Sequence, residues 1–91
     1  RDAYFHRALA FHDQNRWDDC LADLERSLLP GEGGARLRDV TLVRGHTHYQ
    51  RREWEAARQA YTEYLQLAPP GTLVISKVKT RLAEVRAALG E

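Results

Sequence analysis

The sequence has no methionine, one cysteine and three prolines among 91 residues. With Cys20 alone, an internal disulfide is excluded, and so are the paired-cysteine spacings of zinc sites. A single thiol fits a reducing compartment. Long apolar runs are missing as well. Stretches such as Leu73-Val74-Ile75 are only a few residues long, whereas a membrane span needs about twenty, so no membrane insertion is expected. No charged segment leads into an apolar one, so no secretory signal is expected. A chain that opens at Arg1 without methionine is expected to be a processed or excised piece. Charge of one sign is also lacking. Fourteen Lys and Arg against thirteen Asp and Glu leave +1, far from the basic footprint of a nucleic-acid-binding domain.

That near-neutral total hides an uneven distribution. Residues 1–34 carry four basic and seven acidic groups, leaving −3, while residues 35–91 carry ten basic and six acidic, leaving +4. Such a dipolar chain can steer a charged partner or stack head to tail. The length fits one domain. Pro30-Gly31-Glu32-Gly33-Gly34 and Pro69-Pro70-Gly71 cut it into three segments, because glycine supplies positive φ and proline removes a backbone donor. In the first segment Tyr4, Ala8 and Phe11 recur at helical spacing. Trp17, Cys20, Leu21, Leu24 and Leu28 do so again after a polar break at Asp13–Arg16. Residues 1–30 therefore predict a helix pair, with Asn15 as N-cap of the second helix and Asp18 and Asp19 favourably set at its positive end. The second segment predicts helices over about 35–50 and 53–67. The third predicts one helix through Ile75, Val78, Leu82, Val85 and Leu89, with a β-prone first turn.

A shift of 37 residues superposes the first segment on the second. Arg1-Asp2 falls on Arg38-Asp39, Arg7 on Arg44, Trp17 on Trp54 and Leu28 on Leu65. Ala8 falls on Gly45, Cys20 on Ala57 and Leu24 on Tyr61. Small residues thus recur where two helices must approach, and large apolar ones where the groove between them must be filled. One helix pair cannot bury its own apolar stripe, so neighbouring pairs have to stack.

At these positions the chain resembles the tetratricopeptide repeat (TPR), a helix–turn–helix unit of about 34 residues. Tyr4, Ala8, Phe11, Trp17, Cys20, Leu24, Ser27 and Pro30 carry the resemblance in the first unit, and Gly45, Trp54, Ala57, Tyr61 and Pro69 in the second. The resemblance implies an all-α, right-handed helical solenoid forming a single domain over residues 1–91. Repeat 1 spans about 1–34, repeat 2 about 38–71, and a C-terminal capping helix about 72–89. The sequence departs from the family pattern at Arg7 and Arg44, whose long stems are expected to snorkel along the interface. It also departs at Thr41, His48 and Tyr64, and at the Gly31–Gly34 insert.

The family groove is lined by the first helix of each pair. Transferred to this chain, that implies a peptide-binding groove of Phe5, His6, Leu9, His12, Leu42, Val43, His46, Tyr49 and Lys77, with Ser76 and Thr80 beside it. Some TPR domains clamp a C-terminal carboxylate through five polar residues. The corresponding positions here are Phe5, Leu9, Val43, Leu73 and Lys77, of which only Lys77 keeps a suitable charge, so an apolar groove for an amphipathic helix or extended segment is expected instead. Convergence of His6, His12 and His46 invites zinc, but His46 and His48 point apart on a helix and no HExxH or CxxC element occurs, so no metal is expected. Protonation of these histidines below about pH 6.5 is expected to place charge in the groove.

Catalytic patterns are weaker still. Cys20 lies where packing wants a small residue, Asp18-Asp19 is a helix start, and Gly31-Glu32-Gly33-Gly34 lacks the lysine of a phosphate loop. The basic residues Arg51, Arg52, Lys77, Lys79, Arg81 and Arg86 lack the exposed aromatic interleaving of a nucleic-acid reader. The expected function is therefore a non-catalytic protein–protein interaction module, without cofactor, for a partner with apolar anchors. The alternatives are a homo-oligomeric self-assembly unit, or a recognition domain within a longer enzyme or regulator.

Overall fold

The computed structural model describes residues 1–91 as five α-helices without a strand: α1 Asp2–Asp13, α2 Trp17–Arg26, α3 Gly34–Gln50, α4 Trp54–Leu67 and α5 Val74–Ala88. Helix α1 packs chiefly on α2 and α3 chiefly on α4, while α5 closes over α4. The final helix begins at Val74, with the β-prone Leu73 left 93% exposed just outside it. No helix is long and apolar enough to cross a membrane.

The repeat in the sequence becomes a repeat in burial. In α2 the buried residues are Cys20, Asp23, Leu24 and, at its end, Ser27; in α4 they are Ala57, Ala60, Tyr61 and Tyr64. Each lies 37 residues from its counterpart, so the two second helices present the same face inward. Ala8 and Gly45, also equivalent, are both buried.

Two apolar clusters result. Ala8, Cys20, Leu24 and Val40 join the first pair to α3. Ala57, Tyr61, Tyr64, Val78, Leu82 and Val85 join α4 to α5. Helix α3 is therefore flanked on both sides, and Cys20 Sγ lies 3.6 Å from Thr47 Oγ1 across one of those seams. Thr41 and Thr47 are buried without leaving a hydroxyl unpaired, because each donates to the carbonyl four residues earlier, of Leu37 and Val43. Tyr64, large where the resemblance wants a small residue, fills the larger cluster.

The turns inside the two pairs are built alike, and they correct the reading of Asn15. That residue sits at φ 60°. The next amide, of Arg16, donates to Phe11 O at 2.8 Å, and its own amide donates to His12 O. This is a Schellman end to α1, with Asn15 as its left-handed residue. Helix α2 then starts without a side-chain cap. Asn was the right residue for another reason, since it tolerates positive φ. The equivalent Arg52 sits at φ 59°, with Glu53 N donating to His48 O at 2.9 Å.

Candidate interaction face

Side chains tie α1 to α3 and α3 to α5. Between α1 and α3, Arg36 pairs with Asp2, and its guanidinium lies 5.0 Å from the Phe5 ring centroid. Between α3 and α5, Arg81 donates to His46 Nδ1 at 3.0 Å and stacks 4.5 Å over the Tyr49 ring, while the Tyr49 hydroxyl donates to Glu84. Tyr61 reaches up from α4 to place its hydroxyl 2.8 Å from the same Nδ1.

The tautomer of His46 follows from its partners. A guanidinium can only donate, so Nδ1 must be the acceptor and the ring proton sits on Nε2. The Tyr61 hydroxyl therefore donates to Nδ1 as well. Burial first, and then the charges of Arg81 and Lys77, push the His46 pKa down to about 4. His12, on α1, is lowered too, mainly by burial, with Arg81 adding to it. His12 packs edge-on against Trp17 at 5.1 Å between centroids, and its Nε2 is buried without a hydrogen-bond partner. Burial raises the Tyr61 hydroxyl, and acceptance by Glu84 raises that of Tyr49. The charge expected in the groove below about pH 6.5 is thus delayed for His46, because its neutral form is the one held in place.

The residues read from the sequence divide into three groups. His46, Tyr49 and Lys77 come together around Arg81, with His12 near enough for its charge to be felt. Leu9, 37% exposed, and His6 face solvent on α1. Phe5 and Val43 pack against the smaller cluster and Leu42 against the larger one, so these three serve mainly as structure. Arg81 and Glu84 were missed beside the first group, as was the buried Tyr61 beneath. The signal for Arg81 was present, since it lies one helical turn beyond Lys77 on the same stripe.

Elsewhere the polar groups are occupied by one another. Asp23 is fully buried, and its carboxylate accepts from Arg7 Nε at 2.5 Å, Arg7 Nη2 at 2.9 Å and Arg26 Nη1 at 2.9 Å. The Arg7 hydrogen bonds, with Arg26 assisting, hold its pKa down at about 2. The Arg7 stem passes Tyr4 and Phe11, each with its ring centroid 5.7 Å from the guanidinium carbon. The snorkelling expected of Arg7 thus ends on a buried anion. Asp18 pairs with Arg51, Asp19 with Arg16 and His48 with Glu53. Burial raises the Cys20 thiol, which keeps it protonated. No three His, Cys, Asp or Glu side chains form a metal-holding group. An open cleft of about 480 Å³ between α4 and α5 is lined only by Arg58, Gln59, Thr62, Glu63, Arg86 and Glu91. Arg58 there is already paired with Glu55 and Glu91.

Comparison with protein-family models, with curated proteins and with solved structures returned no match for the chain.

Proposed function

We propose that this chain is a non-catalytic protein-interaction module, a right-handed solenoid of two TPR-like helix pairs closed by α5. Its α1–α3–α5 face receives a peptide or helix of a partner protein. The observation that carries the reading is the identical register of burial in α2 and α4. Stacking in the same register brings the first helices of such pairs onto one side, and the contacts of Arg36 with α1 and of Arg81 with α3 support that reading. The face offers an exposed apolar side chain, Leu9, with His6 exposed on the same helix and Lys77 exposed on α5. Shape and donors without a nucleophile or acid–base pair suit recognition rather than turnover.

Selection of random displayed dodecapeptides on the immobilised domain tests this. Wild type is expected to enrich peptides with Leu or Phe anchors. Leu9→Glu is expected to bind them about tenfold more weakly, the effect of about 1.4 kcal/mol, and to melt normally because Leu9 is outside both clusters. Absence of enrichment, or equal binding by Leu9→Glu, contradicts the proposal.

A second reading, self-assembly, has its own observation. Val40, Thr41 and Thr47 of α3 are buried, yet the equivalent Ala3, Tyr4 and Ala10 of α1 are exposed, Tyr4 by 41%. The seam covered in the second pair is open in the first, as a stacking surface for another helical unit. Sedimentation equilibrium of wild type and Tyr4→Asp separates the cases. Concentration-dependent association lost in the variant supports self-assembly, and a monomer at all concentrations rejects it.

A further inference from the structure

We infer that the surface where α5 meets α3 is a receptor for an acidic side chain of the bound peptide, with Arg81 as its principal cation and Lys77 as its second. This rests on the interaction reading above and gives the partner a chemistry: an apolar anchor accompanied by Asp or Glu.

The inference starts from which cations lack anions. Arg38, Arg44 and Arg52 make no ion pair, and neither does any cation of α5. Yet α5 carries Lys77, Lys79, Arg81 and Arg86. Of these, Arg81 is the one whose position is fixed. A neutral imidazole nitrogen and a tyrosine ring orient its guanidinium. Both are uncharged, so they hold the fork without neutralising it. Glu84, three residues along α5, is engaged by the Tyr49 hydroxyl and makes no ion pair with Arg81. A planar five-donor fork, already oriented and still carrying its charge, is matched by a carboxylate in bidentate geometry.

Lys77 lies one turn earlier on the same stripe of α5, exposed, and its charge reaches His46. With the imidazole proton on Nε2, which has no partner within the chain, His46 adds a neutral donor. The spot therefore combines two cations, one restrained acid and one neutral donor, enough for a carboxylate or two. It is too small for a polyanion. Lys79 and Arg86 sit on the opposite flank of α5, separated from Lys77 and Arg81 by the buried line Val78–Leu82–Val85 on one side and by Ser76, Thr80, Ala83 and Ala87 on the other. A nucleic acid needs several phosphates neutralised along one track, and this arrangement offers none.

The test uses the displayed dodecapeptides with three receptors. Wild type is expected to enrich Asp or Glu within about a turn of the apolar anchor, and the enriched peptides to weaken steeply with salt. Lys77→Gln, an exposed change that leaves the packing alone, is expected to reduce their affinity about threefold to tenfold by fluorescence anisotropy. Arg81→Gln is expected to reduce it by more than tenfold and to abolish the preference for acid while retaining the apolar anchor. Arg81→Lys, which keeps the charge and loses the fork, is expected to fall between, and melting curves of all three confirm folded receptors. Enriched peptides with apolar anchors but no acidic preference overturn the receptor and leave the interaction reading standing. Absence of any enrichment removes both. A twenty-nucleotide single strand provides the last arm. Tight binding of it, weakened as much by Lys79→Gln/Arg86→Gln as by Arg81→Gln, overturns the carboxylate assignment in favour of a polyanion.

Discussion

The two helix pairs bury the same registers and solve them with different chemistry. In the first, Ala8 faces Leu24, and Asp23 is buried beneath Arg7 and Arg26. In the second, Gly45 faces Tyr61 so closely that a Cβ at position 45 would lie 2.7 Å from the ring, and Ala60 stands where Asp23 did. Loss of a methyl at one position and gain of a ring at the other are one coupled change, since the ring does not fit beside a methyl at position 45. The ring in turn delivers a hydroxyl to His46 and so helps to orient Arg81. The first pair buries its acid against its own arginines, whereas the second turns a ring hydroxyl toward side chains that also contact α5.

The largest expected effect comes from breaking that coupling. Gly45→Ala drives a methyl into a buried ring and is expected to cost about 2–3 kcal/mol. Gly45→Ala/Tyr61→Leu transplants the first pair's solution and is expected to recover most of it, a coupling of about 1.5 kcal/mol or more in chemical denaturation. Additive losses would show that the two positions are independent. Next in size, Asp23→Ala removes the acceptor of three charge-assisted hydrogen bonds and is expected to cost about 2 kcal/mol. The two freed arginines are about half exposed and return to water, which keeps the loss below that of a stranded buried charge.

Acid separates the pairs in another way. His46 has a folded-state pKa of about 4, below its ordinary 6.5, so the unfolded chain binds its proton first. Its contribution to stability is full above about pH 6.5 and declines as pH falls to about 4, with a slope no steeper than ~1.4 kcal/mol per unit. His12 acts in the same direction. Asp23, held at about 2, contributes fully above its ordinary 3.8 and loses that contribution as pH falls to about 2. Urea midpoints across pH 2–7 are thus expected to show an upper limb reduced in His46→Gln and a lower limb reduced in Asp23→Asn. An upper limb unchanged in His46→Gln would contradict the lowered pKa of that ring.

The smallest effect compares the turns. Arg52 adopts positive φ without the tolerance of the equivalent Asn15, so Arg52→Gly is expected to add about 0.5–1 kcal/mol. Asn15→Gly is expected to change stability by only a few tenths. Equal responses in thermal melts would mean that the Arg52 turn carries no strain.

Much of the fold could be read because it depends on spacing. The 37-residue shift located both pairs, and the pairing of Ala8 with Gly45 and of Leu24 with Tyr61 marked where helices touch. Helix ends were less legible. Asn15 suits either a cap or a left-handed turn, and only the hydrogen bond from Arg16 to Phe11 separates the two. Position along a helix placed His46, Tyr49 and Lys77 near one another, but did not show that Phe5, Leu42 and Val43 pack against the two clusters. The Arg81 tether needed Tyr61 to cross from another helix, and no pattern within α5 records that. The buried Asp23 escaped notice because a carboxylate on an apolar stripe looks like an interruption until two arginines are seen to reach it.

The central claim is that recognition occupies the face of α1, α3 and α5. The most direct test is amide and side-chain NMR of the labelled domain titrated with a peptide enriched on wild type. The account predicts shift changes concentrated at Leu9, His46, Lys77 and the Arg81 Nε–H. Changes concentrated instead at Asp18, Thr62, Glu63 and Arg86, on α2 and around the α4–α5 cleft, would contradict it.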